Sequence, residues 1–192
     1  MLDQAFEALK TYDWGADRSV LEPINEAVLA TRSDAVARKD LDARLAAVLK
    51  TPISRDAKDS VFRKLMHIGS AATVPTLAEF LGDKDLSHMA RFALERNTSP
   101  EAARALRDAL PKLAGAIKIG VISSLGQRRD AASVSLLAKC LVDPDQAIVR
   151  SAAIALGSIN TPESARALSE AKSSSSETLL AVSEPSSFVL RA

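Results

Sequence analysis

The sequence predicts an all-α protein, a right-handed α-solenoid of about five stacked antiparallel helix pairs. Of its 192 residues, 34 are Ala and 24 are Leu, and both types favour helices. Seven Gly and eight Pro are too few for the many turns of a β-sandwich. A similar pattern also returns every 31 residues, and such a period is typical of stacked structural repeats.

Three helices are predicted before the regular pattern begins. The first runs from Leu2 to Lys10, and the second covers about 17–31 with one apolar face. The third covers 34–50 and is ended by the Thr-Pro pair that follows it. We assign residues 1–54 to divergent N-terminal capping helices.

From residue 55 onward the predicted helices form pairs, and Gly, Pro, Asp or Asn occurs in every junction. The pairs are about 55–68 with 72–81, 85–95 with 100–110, 114–126 with 131–141, and 145–157 with 162–172.

The 31-residue offset places equivalent segments of these pairs in register. It aligns Phe92–Glu95 with Ser123–Gly126 and with Ile154–Gly157. The earlier segment 67–69 matches the next unit at an offset of 26, which indicates a shorter inner turn. Because the pattern continues through this shift, we predict one uninterrupted array over residues 55–172.

Small residues recur at fixed places in the array. Ala90, Val121 and Ala152 align, and tight helix packing explains small side chains at such positions. We expect Gly126 and Gly157 to end their helices with a left-handed residue.

The segment from Asp143 to Leu168 carries an aspartate, a Val-Arg pair, an Ala-Leu-Gly run and a Pro-Glu pair. It resembles a bacterial HEAT repeat of the type also found in phycobilin lyases. Segments 117–126 and 90–95 resemble the corresponding helix of the preceding units. The resemblance covers about 55–172 and implies a scaffold with a concave inner surface. Phycobilin lyases hold a tetrapyrrole on that surface, but this sequence shows no evident catalytic set, so we predict no cofactor.

The last segment, residues 173–192, is rich in serine. This composition favours a mobile tail, although its apolar residues could form a partial cap on the end of the stack. We predict a short helix near 176–183.

The charges nearly cancel, with 25 basic and 24 acidic residues, so the whole chain is not drawn to polyanions or anionic lipids. The N-terminus lacks the basic and apolar regions of a signal peptide, and no apolar run could span a membrane. We therefore expect a cytoplasmic protein, unless the chain is a segment of a larger exported one.

Residues for catalysis or metal binding are scarce. His67 and His88 are far apart and lack the spacing of zinc ligands, and no glycine-rich phosphate loop surrounds Gly115 or Gly120. Cys140 lies in an apolar run, which predicts a buried, unreactive thiol. We predict no catalytic residue, no metal site and a non-enzymatic role.

Recognition of a protein or peptide partner is the function that this architecture favours. The partner could belong to other domains of a larger parent polypeptide. We predict that the second helices of the pairs line the binding groove, with two arginines at its rim. The candidate residues are His88, Arg91, Lys118 and Arg150 in the groove, and Arg128 and Arg129 at the rim.

Arg150 has an alternative structural interpretation, because an arginine at this place in HEAT-like repeats often pairs with an aspartate, here Asp143 or Asp145. The alternative function is nucleic-acid binding, since HEAT-like folds include DNA-repair glycosylases with a cationic groove. However, His88, Ile119 and Arg150 align at the 31-residue offset, so no basic ladder runs through successive repeats.

Overall fold

The computed structural model describes residues 1–183, with side chains to residue 173. This part of the chain contains no β-strand. Short 3₁₀ turns precede α2, α5 and α9 and follow α7 and α9. The α-helices are α1 Leu2–Leu9, α2 Glu22–Ala30, α3 Ala35–Leu49, α4 Arg55–Ile68, α5 Val74–Ala78, α6 Ser87–Arg96, α7 Pro100–Ala109, α8 Gly115–Gln127, α9 Val134–Lys139, α10 Gln146–Ile159 and α11 Pro162–Ser183.

The helices stack in two layers, and α1 packs against the start of the stack. The first layer contains the first helix of each pair, namely α2, α4, α6, α8 and α10, and each of these packs on the next. The second layer contains α3, α5, α7, α9 and α11. This arrangement of five helix pairs and one additional helix confirms the predicted all-α solenoid.

The helices begin where capping side chains satisfy backbone N–H groups. The carboxylate of Asp34 accepts hydrogen bonds at the start of α3, and that of Asp145 accepts one at the start of α10. The hydroxyl of Ser54 accepts a backbone hydrogen bond at the start of α4. Pro100 and Pro162 occupy first-turn positions of α7 and α11, where the missing N–H costs no intrahelical bond.

The core follows the 31-residue register. Leu94, Leu125 and Leu156 are equivalent in three successive repeats, and each is fully buried. Ala93 and Ser124 lie one position earlier and are also fully buried. Each repeat therefore completes its apolar core against its neighbours, as stacked repeats require.

The prediction that α8 and α10 end at Gly126 and Gly157 is wrong. Both helices continue beyond Gly126 and Gly157, and the left-handed residues are Arg129, with φ 49°, and Asn160, with φ 54°. A Cβ built on Gly126 would lie 2.8 Å from the Cα of Ala155. Glycine is therefore required there because two helices approach closely, and not because the chain turns.

The C-terminal part also differs from the expectation. Helix α11 does not end near residue 172 but continues to Ser183, so the short helix predicted near 176–183 is part of it. Serine has only a modest cost in a helix interior, and the serine run does not break the helix. The remainder of the predicted tail, residues 184–192, lies outside the described residues. The domain boundaries at 54 and 172 remain predictions.

Candidate functional site

The six basic residues proposed from the sequence lie on or beside the first layer. We predicted that the second helices line the groove, but α6, α8 and α10 are the first helices of their pairs. His88 and Arg91 lie on α6, Lys118 on α8, Arg150 on α10, and Arg128 and Arg129 directly after α8.

Arg91 joins α6 to α8, and 15% of its side chain is exposed. Its Nη1 donates a hydrogen bond of 2.9 Å to Ser124 Oγ, which in turn donates one of 2.6 Å to Glu95 Oε2. The guanidinium also lies 4.4 Å from the ring centroid of Phe92. Gly120 leaves the necessary space, because a Cβ there would lie 2.8 Å from Arg91 Nε. Burial lowers the pKa of Arg91, and the charge of Glu95 opposes that shift.

Lys118 is held by an ion pair within the chain. Its Nζ donates a hydrogen bond of 2.6 Å to Asp143 Oδ2, and only 18% and 15% of the two side chains are exposed. This hydrogen bond raises the pKa of Lys118 and lowers the pKa of Asp143. The pair ties α8 to the turn that precedes α10.

Arg128 points into the junction between α6 and α7 and does not lie at the rim. Its Nη1 donates hydrogen bonds to the carbonyl oxygens of Leu94 at 2.8 Å, Glu95 at 2.9 Å and Asn97. Its Nη2 donates one of 3.2 Å to the carbonyl of Ser99. The last carbonyls of a helix have no intrahelical donors, so this guanidinium caps the C-terminus of α6.

The other three candidates, His88, Arg129 and Arg150, are exposed. None of them has an ion pair or side-chain hydrogen bond with a residue in the described part of the chain. The expected pairing of Arg150 with Asp143 or Asp145 is absent. Asp143 instead accepts a hydrogen bond from Lys118, and Asp145 caps the N-terminus of α10.

A groove of about 350 Å³ lies between α4 and α6, and we call it the α4/α6 groove. Four of its lining side chains are apolar: Phe62, Met66, Met89 and Phe92. Phe92 is 44% exposed, and the guanidinium of Arg91 lies over its ring. The groove is therefore an apolar recess on the face of the first layer.

Two arginines, Arg63 and Arg96, and two carboxylates, Asp59 and Glu95, line the α4/α6 groove together with the imidazole of His88. Asp59 accepts a hydrogen bond of 2.9 Å from Arg63. Glu95 accepts the hydrogen bond from the serine hydroxyl that also binds the first arginine of α6. His88 and Arg96 line the same groove, and neither has an ion pair with a described residue. The sequence carries no signal for Arg96, because the equivalent positions of the next two repeats hold Gln127 and Ser158 and form no basic pattern.

A second recess of about 350 Å³ lies between α8 and α10, and we call it the α8/α10 groove. Ile119 and Ile154 contribute its apolar surface, and Ile154 is 66% exposed. Arg150 is the one charged residue among the described residues that line it. The sequence carried a signal for this surface, because Phe92 and Ile154 share one position of the repeat.

Comparison with known proteins relates part of the chain to a known type of repeat. Residues 103–184 match the family model for HEAT repeats. This part of the chain resembles HEAT repeats.

Two solved structures have a remote likeness to this chain over most of its length. A designed armadillo repeat protein in complex with the peptide (KR)4 is 15% identical, with a TM-score of 0.45; the match covers 96% of this chain and 93% of that one. Human deoxyhypusine hydroxylase in complex with glycerol is 16% identical, with a TM-score of 0.40 and coverages of 93% and 94%. No curated protein matches the chain. Both likenesses are remote, so the assignment of the repeats depends on the family model and the 31-residue register.

A further cavity, of about 560 Å³, lies at the N-terminal end of the helical stack. Trp14 lines it and is 88% exposed. Its charged residues are of both signs, for example Arg18 and Lys64 beside Asp56. Burial lowers the pKa of Lys64. This mixed lining does not select one class of ligand.

In the described part of the chain, no three His, Cys, Asp or Glu residues form a potential metal site. Cys140 is buried, and burial raises the pKa of its thiol. Among the described helices, none combines the length and hydrophobicity that a membrane span requires.

Proposed function

We propose that this chain is a non-catalytic interaction scaffold and that the exposed face of its first layer binds a protein or peptide partner. The observation that carries the proposal is the pair of apolar grooves on that face, each with an exposed large side chain and an unpaired basic residue. Exposed apolar surface bordered by polar groups is typical of interaction sites.

The use of the other basic residues supports this proposal. The guanidinium of Arg91, the ammonium of Lys118 and the guanidinium of Arg128 are all occupied in joining neighbouring helices. They hold the stack together, whereas Arg96 and Arg150 at the two grooves have no such role within the described residues. That partner is either a separate protein or another domain of a longer parent polypeptide.

A matched pair of double variants tests the proposal. Arg96→Glu/Arg150→Glu reverses two charges on the first-layer face, whereas Arg104→Glu/Lys139→Glu makes the same charge change on exposed residues of the second layer. Each protein would be immobilised and exposed to a lysate of the source organism, with and without nuclease. Circular dichroism and thermal melts would first confirm equal folding.

We expect a partner that the unmodified chain and the second-layer variant retain and that the first-layer variant loses. Retention by all three proteins would contradict the proposed face. Binding that disappears after nuclease treatment would instead indicate the nucleic-acid alternative.

A further inference from the structure

We infer that the partner segment is an extended peptide with two apolar side chains about five or six residues apart, each beside a carboxylate. This inference rests on the proposed function and adds the chemistry and spacing of the partner. Three observations support it: the charge left unpaired in each groove, the equivalence of the two grooves, and their separation.

The first observation concerns charge in the α4/α6 groove. Its two carboxylates, Asp59 and Glu95, already accept hydrogen bonds from within the chain. Arg96 has no ion pair with a described residue, so the groove presents one unpaired guanidinium beside apolar side chains, and His88 adds an exposed imidazole. A partner carboxylate next to an apolar side chain complements this arrangement, because opposite charges steer and orient binding.

The second observation is that the two grooves are built from equivalent positions. His88 and Phe92 stand four residues apart on α6, and Arg150 and Ile154 stand four residues apart on α10. These pairs are separated by two 31-residue periods. Each presents a basic and an apolar side chain on the same face of its helix, because residues four apart are neighbours on a helix. The intervening repeat has Ile119 and Ser123 at these two positions.

The third observation sets the spacing of the partner's side chains. Packed helices lie about 8–10 Å apart, so two repeats separate the grooves by about 16–20 Å. An extended chain advances about 3.3 Å per residue, so about five or six residues span that distance. One strand-like segment can therefore fill both grooves at once.

A fluorescein-labelled peptide with two Glu-Leu pairs separated by four Gly and Ser residues tests the inference by fluorescence anisotropy. Three control peptides have Lys in place of Glu, a single Glu-Leu pair, or two adjacent pairs without the spacer. The full chain would be titrated with each peptide at low salt and then with added NaCl.

We expect the two-pair acidic peptide to bind at least about tenfold more tightly than each control, because each control loses a charge contact or one groove. Arg150→Glu and Arg96→Glu should each weaken it by a similar factor, whereas Arg104→Glu on the second layer should have no effect. Added salt should weaken binding, since the contacts involve exposed charges.

Equal binding of the Glu and Lys peptides, or no detectable binding of the acidic peptide, would overturn the inference. The lysate experiment separates this failure from failure of the proposed function. If the first-layer variant loses its partner but the acidic peptide does not bind, the face is correct and the partner chemistry is wrong. If the first-layer variant also retains every partner, the proposed function itself fails.

Discussion

Replacing Arg128 with Ala should destabilise the fold strongly, although an arginine in a turn between helices would ordinarily be replaceable. Its guanidinium donates hydrogen bonds to four backbone carbonyls at the junction of α6 and α7. A hydrogen bond to a charged group contributes about 1.5–3 kcal/mol. Because Arg128 is only partly buried, water can reach some of these carbonyls, so we expect a total loss of about 2–4 kcal/mol.

Urea denaturation followed by circular dichroism measures this effect. The neighbouring Arg129→Ala is the matched control, because Arg129 is exposed and should change the free energy of unfolding by less than about 0.5 kcal/mol. A loss for Arg128→Ala no larger than that of the control would show that its carbonyl contacts do not stabilise the stack.

Three further changes test the packing and the charge network. Gly126→Ala should destabilise by about 1–3 kcal/mol because the new methyl group meets the backbone of α10, whereas Gly157→Ala meets open space and should be neutral or mildly stabilising; equal effects in thermal melts would contradict the close helix contact. Leu125→Ala and Leu156→Ala should each lower the free energy of unfolding by about 2–5 kcal/mol, and a near-neutral result at both would show that the repeat register is wrong. The pKa of Asp143 is lowered in the folded chain by the hydrogen bond from its lysine partner, so its contribution is present above the unfolded pKa of about 3.9 and is lost as the pH falls. Asp143→Asn should therefore lose less stability than the unmodified chain between about pH 5 and pH 3, and identical acid profiles from denaturation at each pH would argue against the pair.

Local signals in the sequence were sufficient to predict where most of the helices lie, although not the full length of α11. Asp34 and Ser54 mark helix starts because a side-chain oxygen can cap the helix within three residues, and this interaction is encoded locally. The 31-residue period predicted the buried positions because each repeat packs in the same way. By contrast, Gly126 was assigned to a helix end, because a sequence does not reveal how closely a distant helix approaches.

The site could be predicted only in part, because the role of a basic residue depends on groups far along the chain. The carbonyls that Arg128 contacts lie about thirty residues earlier, and local spacing does not indicate them. One signal was present: Ser124 occupies a position where the equivalent residues, Ala93 and Ala155, are apolar. A buried hydroxyl requires a hydrogen-bonding partner, and this could have identified Arg91 as a structural residue.

Arginine modification by phenylglyoxal, followed by mass spectrometry, most directly tests the central claim that the basic residues divide into structural and exposed groups. In the folded chain, we expect Arg96 and Arg150 to react nearly as fast as they do in the urea-unfolded chain. Arg91 and Arg128 should be protected, because their guanidinium groups are hydrogen-bonded between helices. Modification of Arg91 and Arg128 at the rate of Arg150 would contradict that division and the binding face derived from it.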